Sequence, residues 1–259
     1  YRRSDYDDYL RDDNLHINWY PGHMKKTKEL VQNNLKLVDV VIELLDARIP
    51  YSSKNPQIDQ IVGNKPRVVV LNKSDLANPA NLSKWVNYYA KKGIKAIPVS
   101  TTKGNGVNKI IEECKNVTRE MMENLKAKGR TERAIRVMIV GVPNVGKSTL
   151  INKLTGRKST QTGDKPGVTK SKQWVRLKGN LELLDTPGIL WPKFEDQEVA
   201  LNLAFSRAIK DEILDIDTLG LKFIEKLMEI EPEKLMARYK LTELGETPLE
   251  TMEMIGRKR

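Results

Sequence analysis

Residues 136–148, Arg136-Val-Met-Ile-Val140-Gly141-Val-Pro-Asn144-Val145-Gly146-Lys147-Ser148, decide the fold. An apolar strand pattern enters a glycine-rich loop, and a helical pattern starts at Ser148. Gly141 to Ser148 matches Gly-x4-Gly-Lys-Ser/Thr in full, with the strand before it and the helix after it that such a loop requires. Glycines let the backbone curl so that several N–H groups face one phosphate, and the helix N-terminus adds positive potential. Lys147 can bridge β- and γ-phosphates and Ser148 can hold Mg2+, with Val145, Gly146 and Thr149 completing the cradle. The motif points to a nucleoside triphosphate and leaves the base open.

Downstream, Asp185-Thr-Pro-Gly188 follows the strand Leu181–Leu184. A carboxylate at a strand C-terminus is placed to serve a metal ion, and Gly188 can offer its N–H to the γ-phosphate. Thr169, in the polar stretch between the two motifs, can add a second hydroxyl to Mg2+. Upstream, Asn72-Lys73-Ser74-Asp75 follows the continuous apolar strand Arg67–Leu71. This is the NKxD pattern by which Ras-like GTPases recognise guanine. A carboxylate at Asp75 can accept both N1–H and the N2 amino group, a pair adenine does not offer. Asn72 can brace the loop, and the Lys73 stem can lie along the base. Ser100-Thr101-Thr-Lys103 resembles the companion loop, usually Ser-Ala-Lys, with Thr101 in place of the alanine.

The order of these motifs is reversed: Asn72–Asp75 precedes Gly141–Ser148, whereas the ordinary Ras-like order places NKxD near the end. A parallel sheet tolerates such a circular permutation when the old ends are joined and the chain is opened elsewhere. The opening falls after Asp185–Gly188, so the switch segments lead straight into C-terminal helices. Strands alternating with helices predict an α/β domain with a mostly parallel sheet. Val40-Val-Ile-Glu-Leu-Leu and Ala96-Ile-Pro-Val99 are further strands, Lys25–Leu37, Asn81–Lys92 and Val107–Lys128 are helical patterns, and Lys172–Leu177 with Leu181–Leu184 form a hairpin. Residues 1–16 read as an N-terminal extension, 17–204 as a circularly permuted GTPase domain and 205–259 as a small all-α domain.

The chain of 259 residues carries 45 Lys+Arg and 34 Asp+Glu, a net charge of +11. Residues 21–205 hold 32 basic and 17 acidic side chains, whereas 206–259 hold 10 and 12. An excess of +15 in the central region attracts polyanions, RNA foremost. No apolar run reaches the ~18 residues of a membrane span, so no membrane partner is expected. A single cysteine, Cys114, excludes an internal disulfide and a multi-cysteine zinc site, and suits a reducing, cytoplasmic setting.

Trp19-Tyr-Pro-Gly-His23-Met24, Asp46-Ala-Arg-Ile-Pro50, Asn72–Asp75, Gly141–Thr149, Gly163-Asp-Lys-Pro-Gly167 and Asp185-Thr-Pro-Gly-Ile-Leu-Trp-Pro192 together resemble the ribosome biogenesis GTPase A (YlqF/RbgA) family. The resemblance runs from Ile17 to the C-terminus and implies a GTPase that acts late in assembly of the large (50S) ribosomal subunit. It implies GTP and GDP as ligands, contact with the subunit precursor and its rRNA, and a bacterial or organellar setting for a monomer. It also implies a C-terminal RNA-binding region extending past Arg259.

Ras-type enzymes place a water-orienting glutamine just after Asp-x-x-Gly. Here Ile189 stands there, so slow intrinsic turnover is expected. His23, one of two histidines, is the residue that resembling proteins propose for positioning the water. Asn144 occupies the P-loop position at which related GTPases bind K+, which makes K+ the second expected ion. Two competing readings are a GTP-stabilised RNA-binding scaffold and a permuted GTPase acting on the small subunit. Neither the OB barrel nor the cysteine-rich module that such small-subunit factors carry is expected within these 259 residues.

Overall fold

The computed structural model describes residues 24–142, 145–155, 174–184, 197–208 and 216–259. They fall into two compact units, one within Tyr20–Lys193 and the other within Phe194–Arg259. In the first unit the strands are β1 (Val40–Asp46), β2 (Arg67–Asn72), β3 (Ala96–Val99), β4 (Ile135–Gly141), β5 (Trp174–Leu177) and β6 (Leu181–Leu184). Its helices are α1 (Met24–Leu35), α2 (Ile58–Val62), α3 (Pro79–Lys91), α4 (Val107–Ala127) and α5 (Lys147–Thr155). The strands form one sheet in the order β3-β2-β1-β4-β6-β5. Every neighbouring pair is parallel except β5 and β6.

The continuous apolar runs explain this arrangement. β1 is buried along its whole length and β2 from Val68 onward, as strands covered by helices on both faces must be. Val41, Met138, Val140 and Leu184 pack with Val31 and Leu35 of α1 and Ile58 and Ile61 of α2. Leu45, Val69, Leu71 and Ala96 pack with Tyr89, Trp85 and Val86 of α3. α4 lies against β1, β2, β3 and β4. α3 begins two residues before the apolar pattern suggests, because Asn78 Oδ1 caps it by accepting from Ala80 N at 3.0 Å and Asn81 N at 3.4 Å, with Pro79 at the first helical position.

The segment from α4 to β4 is the junction that the permuted order requires, and it is anchored. Arg133 donates twice to Asp39, at 2.7 and 2.9 Å, and Arg136 N donates to the same carboxylate at 2.9 Å. These bonds tie the entry of β4 to the entry of β1. The β5–β6 turn needs Gly179 (φ +73°), because a Cβ there would strike Ile111.

The second unit contains α6 (Gln197–Phe205), α7 (Ile216–Ile230), α8 (Pro232–Tyr239) and α9 (Pro248–Arg257). α7 packs with each of the other three, and Phe205 stacks obliquely on Phe223 with ring centroids 5.0 Å apart. Proline opens both α8 and α9, and Thr247 caps α9 by accepting from Glu250 N at 3.2 Å. α6 belongs to this unit. The reason is that Ala200, Leu203 and Ala204 of α6 are buried and the helix packs on α7. No helix among the described residues is long and apolar enough to cross a membrane.

Candidate functional site

Parallel strands end on one edge of their sheet, so the loops after β1, β2, β3 and β4 are neighbours whatever their order in the chain. The register aligns Asp46 with Asn72, Asn72 with Val99, and Leu44 with Gly141. The NKxD and P-loop segments therefore meet at a single edge.

Asn72 joins them. It is 1% exposed, and its Nδ2 donates to the Val145 carbonyl at 2.8 Å. Its Oδ1 accepts from Thr101 N at 3.3 Å, and its main-chain carbonyl accepts from Ala47 N at 2.7 Å. One side chain thus touches the P-loop and the Ser100–Thr101 loop, while its backbone holds the end of β1. Gly146 is the counterpart, with φ +103°, where a Cβ would collide with the Asn72 amide. Gly141 is similarly confined, since a Cβ there would lie 2.9 Å from the Leu44 carbonyl. The glycines of this P-loop are required by close approach as well as by phosphate geometry.

On the base side, Lys73 adopts left-handed backbone geometry (φ 59°) and caps the 3-10 turn Ser74–Leu76. A lysine in that region carries strain of the kind found at binding loops. Ser100, 2% exposed, is bridged to Asn105 by two backbone hydrogen bonds of 3.2 and 3.1 Å, which close the loop. Lys103 Nζ stands 3.4 Å from Asp75 Oδ2. Desolvation pushes the Asp75 carboxyl upward, but hydrogen bonds from Ser100 and Lys103, and the Lys103 charge, outweigh it and hold the group below its ordinary value. Asp75 is therefore an anion, the state that can accept two N–H groups from a guanine edge.

The segment Asp46-Ala-Arg-Ile-Pro50 has a structural role that its residue pattern only partly announces. Asp46 is 3% exposed and accepts from Arg48 N at 3.0 Å, Nε at 3.0 Å and NH2 at 2.7 Å, while Lys73 Nζ stands 4.0 Å from Oδ2. Its hydrogen bond to Arg48 raises the pKa of that guanidinium. The Asp46 carboxylate lies beside the lysine that follows Asn72, so it braces the base loop from below. A carboxylate at the C-terminal end of a fully buried strand was the signal for it.

Lys147 opens α5 and is half-buried, Ser148 is exposed and Thr149 half-buried. Leu150 N donates to the Gly146 carbonyl at 2.9 Å, which seats the first turn directly on the loop. The exposed Ser148 hydroxyl and the glycine-lined cradle fit a Mg2+–phosphate group. His23, Asn144, Thr169, Asp185 and Gly188 lie outside the described residues. Cys114 is fully buried, and burial pushes its thiol pKa up to about 12.

Comparison with known proteins agrees with this geometry. A family model described as 50S ribosome-binding GTPase matches residues 136–244. Ribosome biogenesis GTPase A of Bacillus pumilus is 48% identical over 246 residues, spanning 94% of this chain and 86% of that protein. Its namesake in Bacillus cereus is 50% identical over 246 residues, spanning 94% and 82%. Among solved structures, GNP-bound YlqF from T. maritima superposes with a TM-score of 0.59 at 26% identity, covering 90% of this chain and 93% of that one.

Proposed function

The chain belongs to the ribosome biogenesis GTPase A family, and on that premise we propose that it binds GTP and hydrolyses it to GDP and phosphate as a late assembly factor of the large ribosomal subunit. The observation that carries the GTP reading is the 2.8 Å bond from Asn72 to Val145, which makes the guanine loop and the phosphate loop one site despite the permuted order. Asp75 would select guanine, Lys73 and Ser74 shape the base loop, and Ser100 and Thr101 close its far side. Val145, Gly146, Lys147, Ser148 and Thr149 would hold the phosphates. Mg2+, when bound, supplies positive charge at the β- and γ-phosphate oxygens, and Ser148, Thr169 and Asp185 are the residues that would hold it.

Ile189 cannot orient water, so turnover rests on another group. His23 is proposed to position the attacking water near neutral pH. K+ held at Asn144 is proposed to stand where an arginine finger would otherwise act, a contribution of roughly 10³–10⁵ in rate for such fingers. The GTP form would dock on the maturing subunit and hydrolysis would release it, in the cytoplasm of a bacterium or the matrix of an organelle.

The test is co-sedimentation with each ribosomal subunit in GDP and in a non-hydrolysable GTP analogue, together with multiple-turnover hydrolysis. Preferential sedimentation of the analogue form with large subunits, and stimulation by them, is expected. Equal binding to both subunits in both states would remove the assembly role. An unaltered subunit-stimulated kcat in His23→Ala would remove the histidine, and equal turnover in K+ and Na+ would remove the potassium.

A further inference from the structure

The GTPase unit carries stretches that hold basic and no acidic side chains, and one of them lies on and beside α3. Residues 76–111 contain six lysines (84, 91, 92, 95, 103 and 109) and no Asp or Glu. By contrast α4, also a surface helix of this unit, mixes Lys109, Lys115, Arg119 and Lys126 with Glu112, Glu113, Glu120 and Glu123. A merely solvated helix face has no reason to exclude one sign of charge.

The lysines are ordered along α3. Positions 84, 88, 91 and 92 recur at i, i+4, i+7 and i+8, which is one face of a helix. Lys84, Tyr88, Lys91 and Lys92 are all exposed, and Tyr88 keeps 44% of its surface in solvent. Lys92 Nζ sits 4.4 Å from the Tyr88 ring centroid, so cation and aromatic face lie in one stripe. Asp59, the acid whose field reaches Lys92, is already held by Arg67 and by Lys54 at 3.2 Å. At its N-terminal end the stripe runs into a surface cavity of about 150 Å³ lined by Arg48, Asn78, Asn81, Lys84 and Trp85. That is smaller than the ~300–1,000 Å³ of a drug-sized site. It has room for one polar group or the edge of one planar ring, with cations and an indole as its walls.

We propose that the exposed face of α3, from the Arg48–Trp85 cavity to Lys92, is an RNA-docking surface of the GTPase unit. Lysines spaced along a helix match a phosphate backbone, and aromatic faces among them offer stacking to unpaired bases. The inference rests on the assembly reading and adds where the RNA lies. The stripe belongs to the helix that directly follows the guanine loop, whereas residues 206–259 hold more acidic than basic side chains. RNA seated here would lie on the helix that follows the turn carrying Asp75.

The experiment measures binding of in vitro transcribed large-subunit rRNA to the 259-residue chain as a function of KCl. It compares wild type, the triple variant Lys84→Glu/Lys91→Glu/Lys92→Glu, and a control triple on α4 and its end, Lys109→Glu/Lys126→Glu/Lys128→Glu. The α3 triple should bind about ten-fold or more weakly, with a log–log salt slope shallower by about 2–3. Tyr88→Ala should lose roughly five-fold or more with an unchanged slope. GDP affinity should be unaltered in all, which also reports that the variants fold. Wild-type affinity and slope in the α3 triple, or equal losses in both triples, would overturn the proposal while subunit-stimulated hydrolysis by wild type left the assembly reading standing. A wild type that neither binds rRNA nor is stimulated would overturn both. Retained RNA binding with lost binding to phosphatidylserine vesicles would make the face a membrane contact and overturn it as well.

Discussion

The Asn72 side-chain amide donates to the Val145 carbonyl at 2.8 Å, across 73 positions of chain. The pair is buried, so neither group has water to fall back on. The residue that opens the base-recognition motif is therefore a structural member of the phosphate loop.

Asn72→Ala should accordingly damage two functions together. It leaves the Val145 carbonyl and the Thr101 N–H without their partner, a cost of about 1–3 kcal/mol for each buried group so orphaned. Urea unfolding should show that loss, and fluorescent-nucleotide titration should show at least about ten-fold weaker GTP binding. A variant with unchanged affinity would mean that the loops hold their places independently.

Gly146→Ala tests the same contact from the other side. The new Cβ meets the Asn72 amide, and φ +103° is unfavourable for alanine. Strain of about 1–3 kcal/mol is expected, with nucleotide binding lost before the fold is. Circular dichroism and titration on one preparation would separate the two effects.

Asp46→Asn removes the charge that braces Arg48 and faces Lys73. GTP and GDP affinities should fall several-fold and by equal factors, with kcat within about two-fold of wild type, the pattern for lost uniform binding. A fall in kcat at unchanged KM would place Asp46 in the chemistry instead.

Asp75 makes a pH prediction. Its folded pKa lies below the ordinary 3.8, so its contribution to stability is complete above the unfolded value and is lost as pH falls through the lower folded one. GTP affinity should stay flat down to about pH 5 as far as this group is concerned. Asp75→Asn should remove its share of the acid limb of the stability profile. It should also shift base preference from guanine toward xanthine, because an amide can donate to the 2-carbonyl that replaces the 2-amino group. An acid limb identical in the variant would show that the carboxyl is unperturbed.

Cys114 should be inert toward alkylation. A fully buried thiol held near 12 is almost wholly protonated at pH 8, so iodoacetamide should label it only on unfolding. Rapid labelling of the native chain would contradict the packing of α4.

Much of this could be read without coordinates. The strands β1, β2 and β4 announced themselves as mostly apolar runs, since a strand buried on both faces has few polar positions to spare, and Glu43 of β1 is paired with Lys54 and Arg67. The P-loop and NKxD were legible because phosphate and guanine chemistry demand particular residue types at close spacing. The place of α6 was not legible, because its sequence is consistent with either neighbour until Ala200, Leu203 and Ala204 are seen to be buried and the helix to pack on α7. The role of Asp46 was only partly legible, because Arg48 is a neighbour two residues along the chain whereas Lys73 is brought to it by the β1–β2 register.

The amino-acid sequence by itself determined the kind of protein this is: local patterns set the strands, the phosphate cradle and the reversed order of the motifs. Only the tertiary structure decided that Asn72 reaches Val145, that Gly146 leaves room for it, and that α3 presents a single cationic and aromatic face. Local patterns depend on neighbours in the chain, whereas a buried hydrogen bond between distant residues depends on strand order and register, which no short stretch encodes.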